Sequence, residues 1–527
     1  MAPLDRRGLL LGSATLLSMK VSAMPLSTSG VDLVEASAVS LARVMGAGRL
    51  SAEVLVQACL TRIGAVDRRG PRLNSVIERN PDALAIARTL DAERKAGRVR
   101  GPLHGLPVLL KDNIATGDRM STSAGSLALD GVRAVRDAHL VKRLREAGAV
   151  VLGKTNLSEW ANIRSTRSTS GWSSRGGLTR NPYALDRSTS GSSSGTAAAI
   201  AASLAPLGVG TETDGSIVSP ASICGLVGLK PTLGRISRDG VIPIAHSQDT
   251  AGPMARSVAD AALLYAAMAG PDPADASTAR APGAQTGDGL LPPDALKGVR
   301  LGVARAYFTG FDEADAVIEQ SIARLRQLGA EIVNDAGLAP VSYGDAELSV
   351  LLYELKPDLA AWFKAFVPQA KVQSLADVIA FNHAHKAKTM PWFGQEMFEK
   401  AQALGGLDSA AYRDALAACV KGARTEGLDT AFDRHRLDAL VAPTGGPAWL
   451  IDPVAGDHYG GSFSTPAAVA GYPHLTVPAG FVRGLPIGLS FVGRPFSEWR
   501  LLAFGHAFEQ ATRHRRAPTF VKRSVPS

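Results

Sequence analysis

The sequence predicts an α/β protein, and three observations support this prediction. Short apolar runs typical of buried strands alternate with segments of helical periodicity along the chain. One unit, over 298–334, has the order strand, helix, strand that packs as parallel strands. The chain has 527 residues, 46% of them hydrophobic and 20% charged, so it can bury a large core. No apolar run approaches the ~20 residues that a membrane-spanning helix needs.

Helices and strands are predicted in alternating order in the first half of the chain. From Val31 to about Leu60 the apolar spacing is helical, and Ser51 is the expected N-cap of a second helix within this stretch. There follow a helix over 82–96, a strand over 107–110, a helix over 138–147, a strand over 149–152, an Ala-rich helix from about 197 and a strand over 207–209.

The second half repeats this alternation around a helical stretch. The unit over 298–334 comprises a strand over 298–304, a helix over 314–328 and a strand over 330–334. A mainly helical stretch follows at about 345–435, where Leu351, Leu355 and Leu359 recur at four-residue steps. Strands are then predicted over 439–442, 475–479 and 486–492, and a helix over 499–514.

The net charge of +9 lies mostly at the two ends of the chain. Residues 1–24 and 513–527 carry seven of these charges, so the body between them is nearly neutral. No zinc-finger pattern, aromatic RNA-binding signature or long basic run is present, and we expect no nucleic-acid partner. Cys59, Cys224 and Cys419 lie far apart with no Cys-x-x-Cys pair, which argues against a disulfide framework and a cysteine metal site.

The first residues resemble an export signal. Arg6 and Arg7 precede an apolar stretch that continues to about Leu17, and Ala23 ends a small-residue cleavage site, as in twin-arginine signals. Lys20, close to that site, favours the alternative of a basic N-terminus with no such role. We expect residues 1–24 to direct export to the periplasm or the medium; without a functional signal the protein stays cytoplasmic.

Two motif matches fail on structural grounds. The stretch 148–155 fits the phosphate-loop pattern, but its middle residues form a predicted apolar strand, so we expect no nucleotide site. The stretch 191–195 fits the nucleophile elbow of α/β-hydrolases, but polar, turn-forming residues precede it where an elbow needs a strand. His383 and His385 diverge on a helix, so we predict no metal site there.

Three segments together favour a catalytic site. Lys111 directly follows the strand over 107–110. Unless its side chain reaches water, burial lowers its pKa and favours the neutral amine, which is a competent base. The stretch 190–196 places hydroxyls at a helix start, although it also has the composition of a linker. The stretch 210–216 is either an ordinary surface turn or one whose backbone N–H groups converge on an oxyanion.

These segments resemble the signature of the amidase signature family. The resemblance is carried by Lys111 in its Leu-Pro-Val-Leu-Leu-Lys-Asp-Asn context, by Gly191-Ser192-Ser193-Ser194-Gly195 and by the run from Gly210 to Ser216. It continues through 224–232, 249–254, 442–444 and 484–489. It implies the amidase-signature fold, a large mixed β-sheet with helices on both faces, as one catalytic domain over 25–527. It also implies an amidase that needs neither a cofactor nor a metal.

The resemblance implies a role for each member of a catalytic trio. Ser216 is the nucleophile, Ser192 the bridging serine after a cis peptide bond with Gly191, and Lys111 the base. The oxyanion hole is formed by the backbone N–H groups of Thr213, Asp214, Gly215 and Ser216.

The surroundings of the trio bear on the substrate. The runs 212–218 and 237–240 look most like those of bacterial peptide amidases, which release ammonia from the C-terminal amide of peptides, so we expect a small amide or peptide amide substrate. One alternative is the A subunit of a tRNA-dependent amidotransferase, which works only with partner subunits; Val218, where many family members have arginine, weakens it. A broad aliphatic or aryl amidase is the other.

Overall fold

Strands and helices alternate along the chain, in the order that the sequence predicts. The protein is described by a computed structural model that covers residues 27–28, 31–32, 34–283 and 289–524. The strands are β1 Ser27–Thr28, β2 Val31–Asp32, β3 Val76–Arg79, β4 Pro107–Lys111, β5 Val150–Thr155, β6 Trp172–Ser173, β7 Gly177–Leu178, β8 Leu207–Glu212, β9 Val227–Lys230, β10 Thr250–Ala255, β11 Arg300–Val303, β12 Glu331–Val333, β13 Ala439–Pro443, β14 His474–Val482 and β15 Leu485–Val492.

The helices are distributed over the whole described chain. They are α1 Ala38–Gly46, α2 Ala52–Arg62, α3 Ala83–Lys95, α4 His139–Glu146, α5 Ser194–Ala201, α6 Val218–Ile223, α7 Val258–Met268, α8 Asp312–Gln327, α9 Gly344–Phe366, α10 Leu375–Ala384, α11 Lys386–Thr389, α12 Glu396–Ala403, α13 Ala410–Val420, α14 Asp429–His435, α15 Ser464–Ala470 and α16 Glu498–Thr512. None of these is long and apolar enough to cross a bilayer, a finding that covers only the residues described.

A mixed sheet of eleven strands forms the centre of the molecule, in the order β12-β11-β13-β15-β14-β9-β10-β8-β4-β5-β3. β4 runs parallel to both of its neighbours, β5 and β8. β11 likewise runs parallel to β12 and β13, as predicted for the unit over 298–334. The other neighbouring strands pair antiparallel. The predicted α/β class and the large mixed sheet with helices around it are confirmed.

The strands at the centre of the sheet are buried along their whole length. Every residue of β4, β5 and β8 is buried, because parallel strands are covered on both faces. Helix α5 is also buried along its whole length, and its small residues allow the close packing. A Cβ on Gly195 would lie 2.4 Å from the carbonyl oxygens of Asn156 and Ser75, so only glycine fits there.

Most predicted elements are present, with shifted ends. The helical prediction from Val31 is wrong at its start, because Val31–Asp32 pairs with Ser27–Thr28 as a strand. The first helix begins only after Ser37, whose side chain accepts a hydrogen bond from Ser40 N. Ser51 caps α2 as predicted. The rejection of a phosphate loop is supported, since residues 153–155 continue β5. Residues 1–24, the predicted export signal, lie outside the described residues.

Candidate functional site

The carboxyl ends of β4 and β8 bring the first two groups of the site together. The two strands are parallel neighbours, with Leu110 opposite Val209, so their last residues emerge at the same edge of the sheet. Lys111 is the last residue of β4, and Thr211 lies near the end of β8. The register therefore places the lysine side chain next to the segment that leads into the 213–216 turn.

Lys111 is fully buried, and its hydrogen bonds join it to Ser192 and Thr211. Its Nζ atom lies 2.7 Å from Ser192 Oγ, 2.9 Å from Thr211 Oγ1 and 3.1 Å from Thr211 O. Asn113 donates to the same Thr211 hydroxyl at 2.9 Å. Burial lowers the pKa of Lys111 to about 7, although the charges of Asp249 and Glu212 act in the opposite direction. A large fraction of Lys111 is therefore uncharged at neutral pH.

Ser192 lies in the turn that leads into α5. The Gly191–Ser192 peptide bond is cis, as the family resemblance implies. Ser192 is fully buried, and its carbonyl oxygen accepts a hydrogen bond from Ser158 N at 3.1 Å. The next residue ties this turn to the 213–216 turn, because Ser193 N donates to Ser216 O at 3.2 Å. Lys111, Ser192 and Ser216 thus come from three segments that contact one another.

The 213–216 turn has the geometry of an anion-binding turn. Gly215 has φ of 77°, and a Cβ there would lie 2.9 Å from Ser464 Oγ, so the position requires glycine. Within the described part of the chain, none of the backbone N–H groups of residues 213–216 donates a hydrogen bond to the protein. Free, neighbouring N–H groups of this kind can stabilise an oxyanion.

Two buried carboxylates fix the ends of this turn. Glu212 Oε2 accepts hydrogen bonds from Ile217 N at 2.7 Å and from Val218 N at 3.0 Å. Asp249 Oδ1 accepts a hydrogen bond from Thr213 Oγ1 at 2.5 Å. Burial raises the pKa of Asp249 to about 6. The Glu212 contacts span the turn and the Asp249 contact anchors its first residue, so together they limit the directions in which the N–H groups of the turn can point.

Asp214, within the turn, contacts a second carboxyl group, that of Glu347 on α9. Asp214 also accepts a hydrogen bond from Thr465 Oγ1 at 2.6 Å. Burial and the charge of Asp214 raise the pKa of Glu347 to about 8, and burial raises the pKa of Asp214 as well. The positive end of the α9 dipole favours the ionised form of Glu347 and so opposes the rise of its pKa. Such an effect is worth ~0.3–1 kcal/mol, which is less than one pKa unit.

A cavity of about 710 Å³ opens onto the turn and is lined by Ser216, Gly191 and residues 213–215. Asp214 and Asp457 are the only charged residues among the described residues that line it. Its other walls combine aromatic and aliphatic side chains with about as many serine and threonine hydroxyl groups; the larger apolar members are Ile163, Ile244, Tyr307, Phe308, Leu351, Trp449 and Tyr459. The cavity can therefore hold a large, mainly uncharged molecule next to the trio.

One cluster has side chains that could bind a metal. The potential ligand atoms of His246, Glu354 and Asp358 lie within 4.8 Å of one another. His246 Nδ1 lies 2.9 Å from Asp358 Oδ2, and this contact raises the pKa of His246. Glu354 accepts hydrogen bonds from Tyr412 Oη at 2.7 Å and from Ser247 N at 2.9 Å. We interpret this cluster as an ion pair that joins the loop before β10 to α9.

The structure places the predicted site residues in neighbouring segments. Lys111 contacts Ser192, the backbone carbonyl of Ser216 accepts a hydrogen bond from Ser193 N, and residues 213–216 lie on the cavity wall. The 237–240 run lies elsewhere: Arg238 forms an ion pair with Asp275, and the run is not part of the cavity lining. The sequence reasoning missed Asp249 and Glu347. Asp249 was visible only as part of a motif, and Glu347 lies in a helical stretch whose side chains could not be oriented.

The chain is similar to several known proteins over most of its length. The family model described as Amidase matches residues 54–502. The crystal structure of the native peptide amidase from Stenotrophomonas maltophilia superposes with a TM-score of 0.87 at 52% identity, over 92% of this chain and 99% of that one. A probable amidase of Arabidopsis thaliana is 39% identical, with 97% of each chain covered. The A subunit of the glutamyl-tRNA(Gln) amidotransferase of Symbiobacterium thermophilum is also 39% identical, with 91% and 98% covered.

Proposed function

Since the chain belongs to the amidase signature family and is a hydrolase of amide C–N bonds, we propose that it converts the C-terminal amide of peptides to the free acid and ammonia. The trio Lys111, Ser192 and Ser216 carries out the reaction. The observation that supports this mechanism best is the buried contact of 2.7 Å between Lys111 Nζ and Ser192 Oγ, beside the cavity that Ser216 lines.

Acylation begins with proton transfer from the nucleophile. As Ser216 Oγ attacks the amide carbonyl carbon, its proton passes to Ser192, and the proton of Ser192 passes to neutral Lys111. The carbonyl oxygen becomes an oxyanion, which the free N–H groups of residues 213–216 stabilise. When the C–N bond breaks, the proton returns from Lys111 through Ser192 to the leaving nitrogen, which departs as ammonia.

Deacylation uses the same groups with water. A water molecule attacks the acyl-enzyme, gives up one proton through the relay and forms the carboxylic acid, and Ser216 Oγ recovers its proton. The pKa of Lys111, lowered to about 7 by burial, suits both steps, because the group can take and return a proton near neutral pH.

The cavity supports a peptide amide as the substrate. Its volume of about 710 Å³ exceeds the needs of a simple aliphatic amide; its aromatic residues suit apolar side chains, and its serine and threonine hydroxyls suit the polar backbone of a peptide. Its two charged lining residues, Asp214 and Asp457, are both acidic, so the cavity offers no cation to a carboxylate. We therefore expect weak binding of the free-acid product. Similarity to the peptide amidase of Stenotrophomonas maltophilia points to the same substrate class.

A second candidate is a role as the A subunit of a tRNA-dependent amidotransferase, which the identity of 39% to one such protein favours. If the chain acted on glutamine, the α-carboxylate of that substrate would call for a cationic partner. Val218, where many family members have arginine, is buried at the start of α6 and provides none. A broad aliphatic or aryl amidase is tested by the same experiment.

The assay measures ammonia or amine release by the purified chain alone. Four substrates are compared: a dipeptide amide, the matching free acid, an anilide and glutamine. We expect the dipeptide amide to be turned over fastest. Faster turnover of glutamine or of the anilide would contradict the proposed substrate.

The mechanism is tested by substitution. Ser216→Ala and Lys111→Ala should each lower kcat by roughly 10³-fold or more, because the nucleophile or its base is removed. Ser219→Ala is the matched control, since Ser219 lines the same cavity without a proposed role in the relay. Wild-type activity in either Ser216→Ala or Lys111→Ala would refute the mechanism.

We also propose that the protein is exported, on the basis of Arg6, Arg7 and the small-residue site at Ala23. The test is cell fractionation of a bacterial host that has a twin-arginine pathway. Replacement of both arginines by lysine should move the protein to the cytoplasm. An unchanged distribution would refute this route.

A further inference from the structure

The contact between Asp214 and Glu347 has no role in the relay, yet it adjoins the nucleophile. Asp214 belongs to the turn that supplies the N–H groups and lies two residues before Ser216. One oxygen of its buried carboxyl group, Oδ1, has no hydrogen-bond donor among the described residues when both acids are ionised. Two ionised carboxylates in contact would repel each other, whereas one shared proton makes the contact favourable.

Glu347 is held against Asp214 by a third residue. Gln248 Nε2 donates to Glu347 Oε1 at 2.9 Å and lies 3.3 Å from Thr213 O. One amide group thus contacts both the turn and the carboxyl group of α9. Because Gln248 already occupies Oε1 as a donor, the proton of Glu347 is free to reside on the other oxygen.

We propose that Glu347 is a positioning residue that donates a hydrogen bond to the carboxylate of Asp214 and so holds the 213–216 turn in its oxyanion-binding geometry. This inference rests on the proposed catalytic function of that turn. It assigns to α9 a role in transition-state stabilisation, through Asp214, in addition to its role in lining the cavity with Leu351.

Glu347 can keep its proton at neutral pH because burial and Asp214 raise its pKa to about 8. The titratable groups that act on it or on Asp214 come from several elements: Asp214 and Glu212 from β8 and its turn, Lys230 from β9, Tyr343 from the residue before α9, Cys419 from α13 and Tyr459 from the loop before α15. Burial raises the pKa of Cys419 to about 11 and that of Tyr343 higher still. Lys230 is the other group that could titrate in the same pH range as Glu347, since burial lowers its pKa to about 8.

The proposal predicts a bell-shaped dependence of kcat on pH. Activity rises as Lys111 loses its proton near pH 7, and it falls above about pH 8 as Glu347 ionises and repels Asp214. Glu347→Gln keeps a donor at every pH, so it should retain the rising limb and lose the falling one. Glu347→Ala should lower kcat at pH 7 by roughly tenfold to a hundredfold, with a smaller change in KM.

The experiment measures kcat and KM between pH 6 and 10 for the wild type, Glu347→Gln, Glu347→Ala and Asp345→Asn. The last is the matched control, because Asp345 lies in the same first turn of α9 but is exposed. A falling limb that persists in Glu347→Gln would assign the limb to Lys230 or another group and overturn the proposal. So would Glu347→Gln activity as low as that of Glu347→Ala.

Two provisions keep the test independent of folding and of the substrate. Infrared spectra of the wild type should contain a protonated carboxyl band at pH 7 that is lost by pH 9 and is missing from Glu347→Gln, which distinguishes it from Glu509, whose pKa burial raises to about 7. Absence of the band from the wild type at pH 7 would overturn the proposal even if a variant misfolds. Any carboxamide that the enzyme hydrolyses serves as the substrate. Failure on peptide amides would therefore refute the substrate assignment without deciding the role of Glu347.

Discussion

At the residue scale, Lys111 shows how catalysis and stability oppose each other. Its three hydrogen bonds satisfy the ammonium group, yet burial lowers its pKa from 10.5 to about 7. A lysine with a lowered pKa binds fewer protons in the folded than in the unfolded state between these two values. The stability of the fold therefore increases as pH rises from about 7 towards 10.5, where the unfolded-state lysine is finally neutral.

Replacement of Lys111 by an apolar side chain should remove catalysis and also remove the stability cost of a buried charge. We predict that Lys111→Met abolishes turnover while its melting temperature equals or exceeds that of the wild type at pH 6, since no charge is then buried. The advantage of the variant should shrink as pH approaches 10.5. Thermal unfolding at a series of pH values measures this, and an advantage that grows with pH would contradict the prediction.

Lys154, on the neighbouring strand β5, is the control for that experiment. It is equally buried, but its Nζ donates to Ile114 O at 2.6 Å and to Thr122 Oγ1 at 3.1 Å, away from the relay. Lys154→Met, like Lys111→Met, leaves buried acceptors unpaired, a loss of ~1–3 kcal/mol that removal of the buried charge offsets. We therefore expect a similar change in stability but retained kcat, which separates the catalytic role of Lys111 from the effect of its burial.

At the scale of elements, the 213–216 turn depends on the short connection between β8 and α6. Glu212 ends β8 and accepts the N–H groups of Ile217 and Val218 at the start of α6. A carboxylate that accepts backbone hydrogen bonds at the start of a helix is a favourable arrangement. The same contact determines how the polypeptide passes from Glu212 to Ser216.

We predict that Glu212→Ala destabilises the protein by ~1.5–3 kcal/mol, because two buried backbone donors lose a charged acceptor. It should also lower kcat more than it raises KM, because the N–H groups of the turn are no longer held in their oxyanion-binding geometry. Glu212→Gln keeps an acceptor oxygen, so its stability and kcat should lie between those of the wild type and Glu212→Ala. The measurements are denaturant unfolding and kcat and KM of each variant under the same conditions. An unchanged kcat in a destabilised Glu212→Ala would show that the geometry of the turn does not depend on Glu212.

At the scale of the molecule, the basic C-terminal segment is built into the fold. Arg515 donates to Glu35 at 2.9 and 3.0 Å, and to the carbonyl oxygens of Gly225 and Ala201 at 2.7 and 3.0 Å. The side chain of Arg515 is only 12% exposed. This arginine, counted among the charges of the chain ends, thus joins both ends of the described chain to the region around α5 and α6.

We predict that Arg515→Ala lowers stability by roughly 3 kcal/mol at pH 7, because the partly buried Glu35 loses its partner. Burial alone would raise the pKa of Glu35, but the charge of Arg515 and its hydrogen bonds outweigh burial and lower it. The stabilisation is therefore present above pH 4.5 and is lost as pH falls below it. The difference in melting temperature between variant and wild type should narrow on acidification; a constant difference would contradict this.

The sequence by itself determined those features that depend on local pattern. The apolar run of β4, the Ala-rich helix α5 and the Ser51 cap are fixed by neighbouring residues, so their periodicity and chemistry are readable. The motifs around Lys111, Ser192 and Ser216 are also local, and their resemblance to one family indicated both the mixed sheet and an amidase.

The tertiary structure decided which distant segments meet. Nothing local shows that β4 and β8 are parallel neighbours, yet this pairing buries Lys111 against Thr211 and so gives it a lowered pKa. Likewise, helical periodicity located the stretch that contains Glu347 but did not show that Glu347 contacts Asp214. Burial, and the charges brought together within it, set the protonation states of this site, and both arise only when the chain is folded.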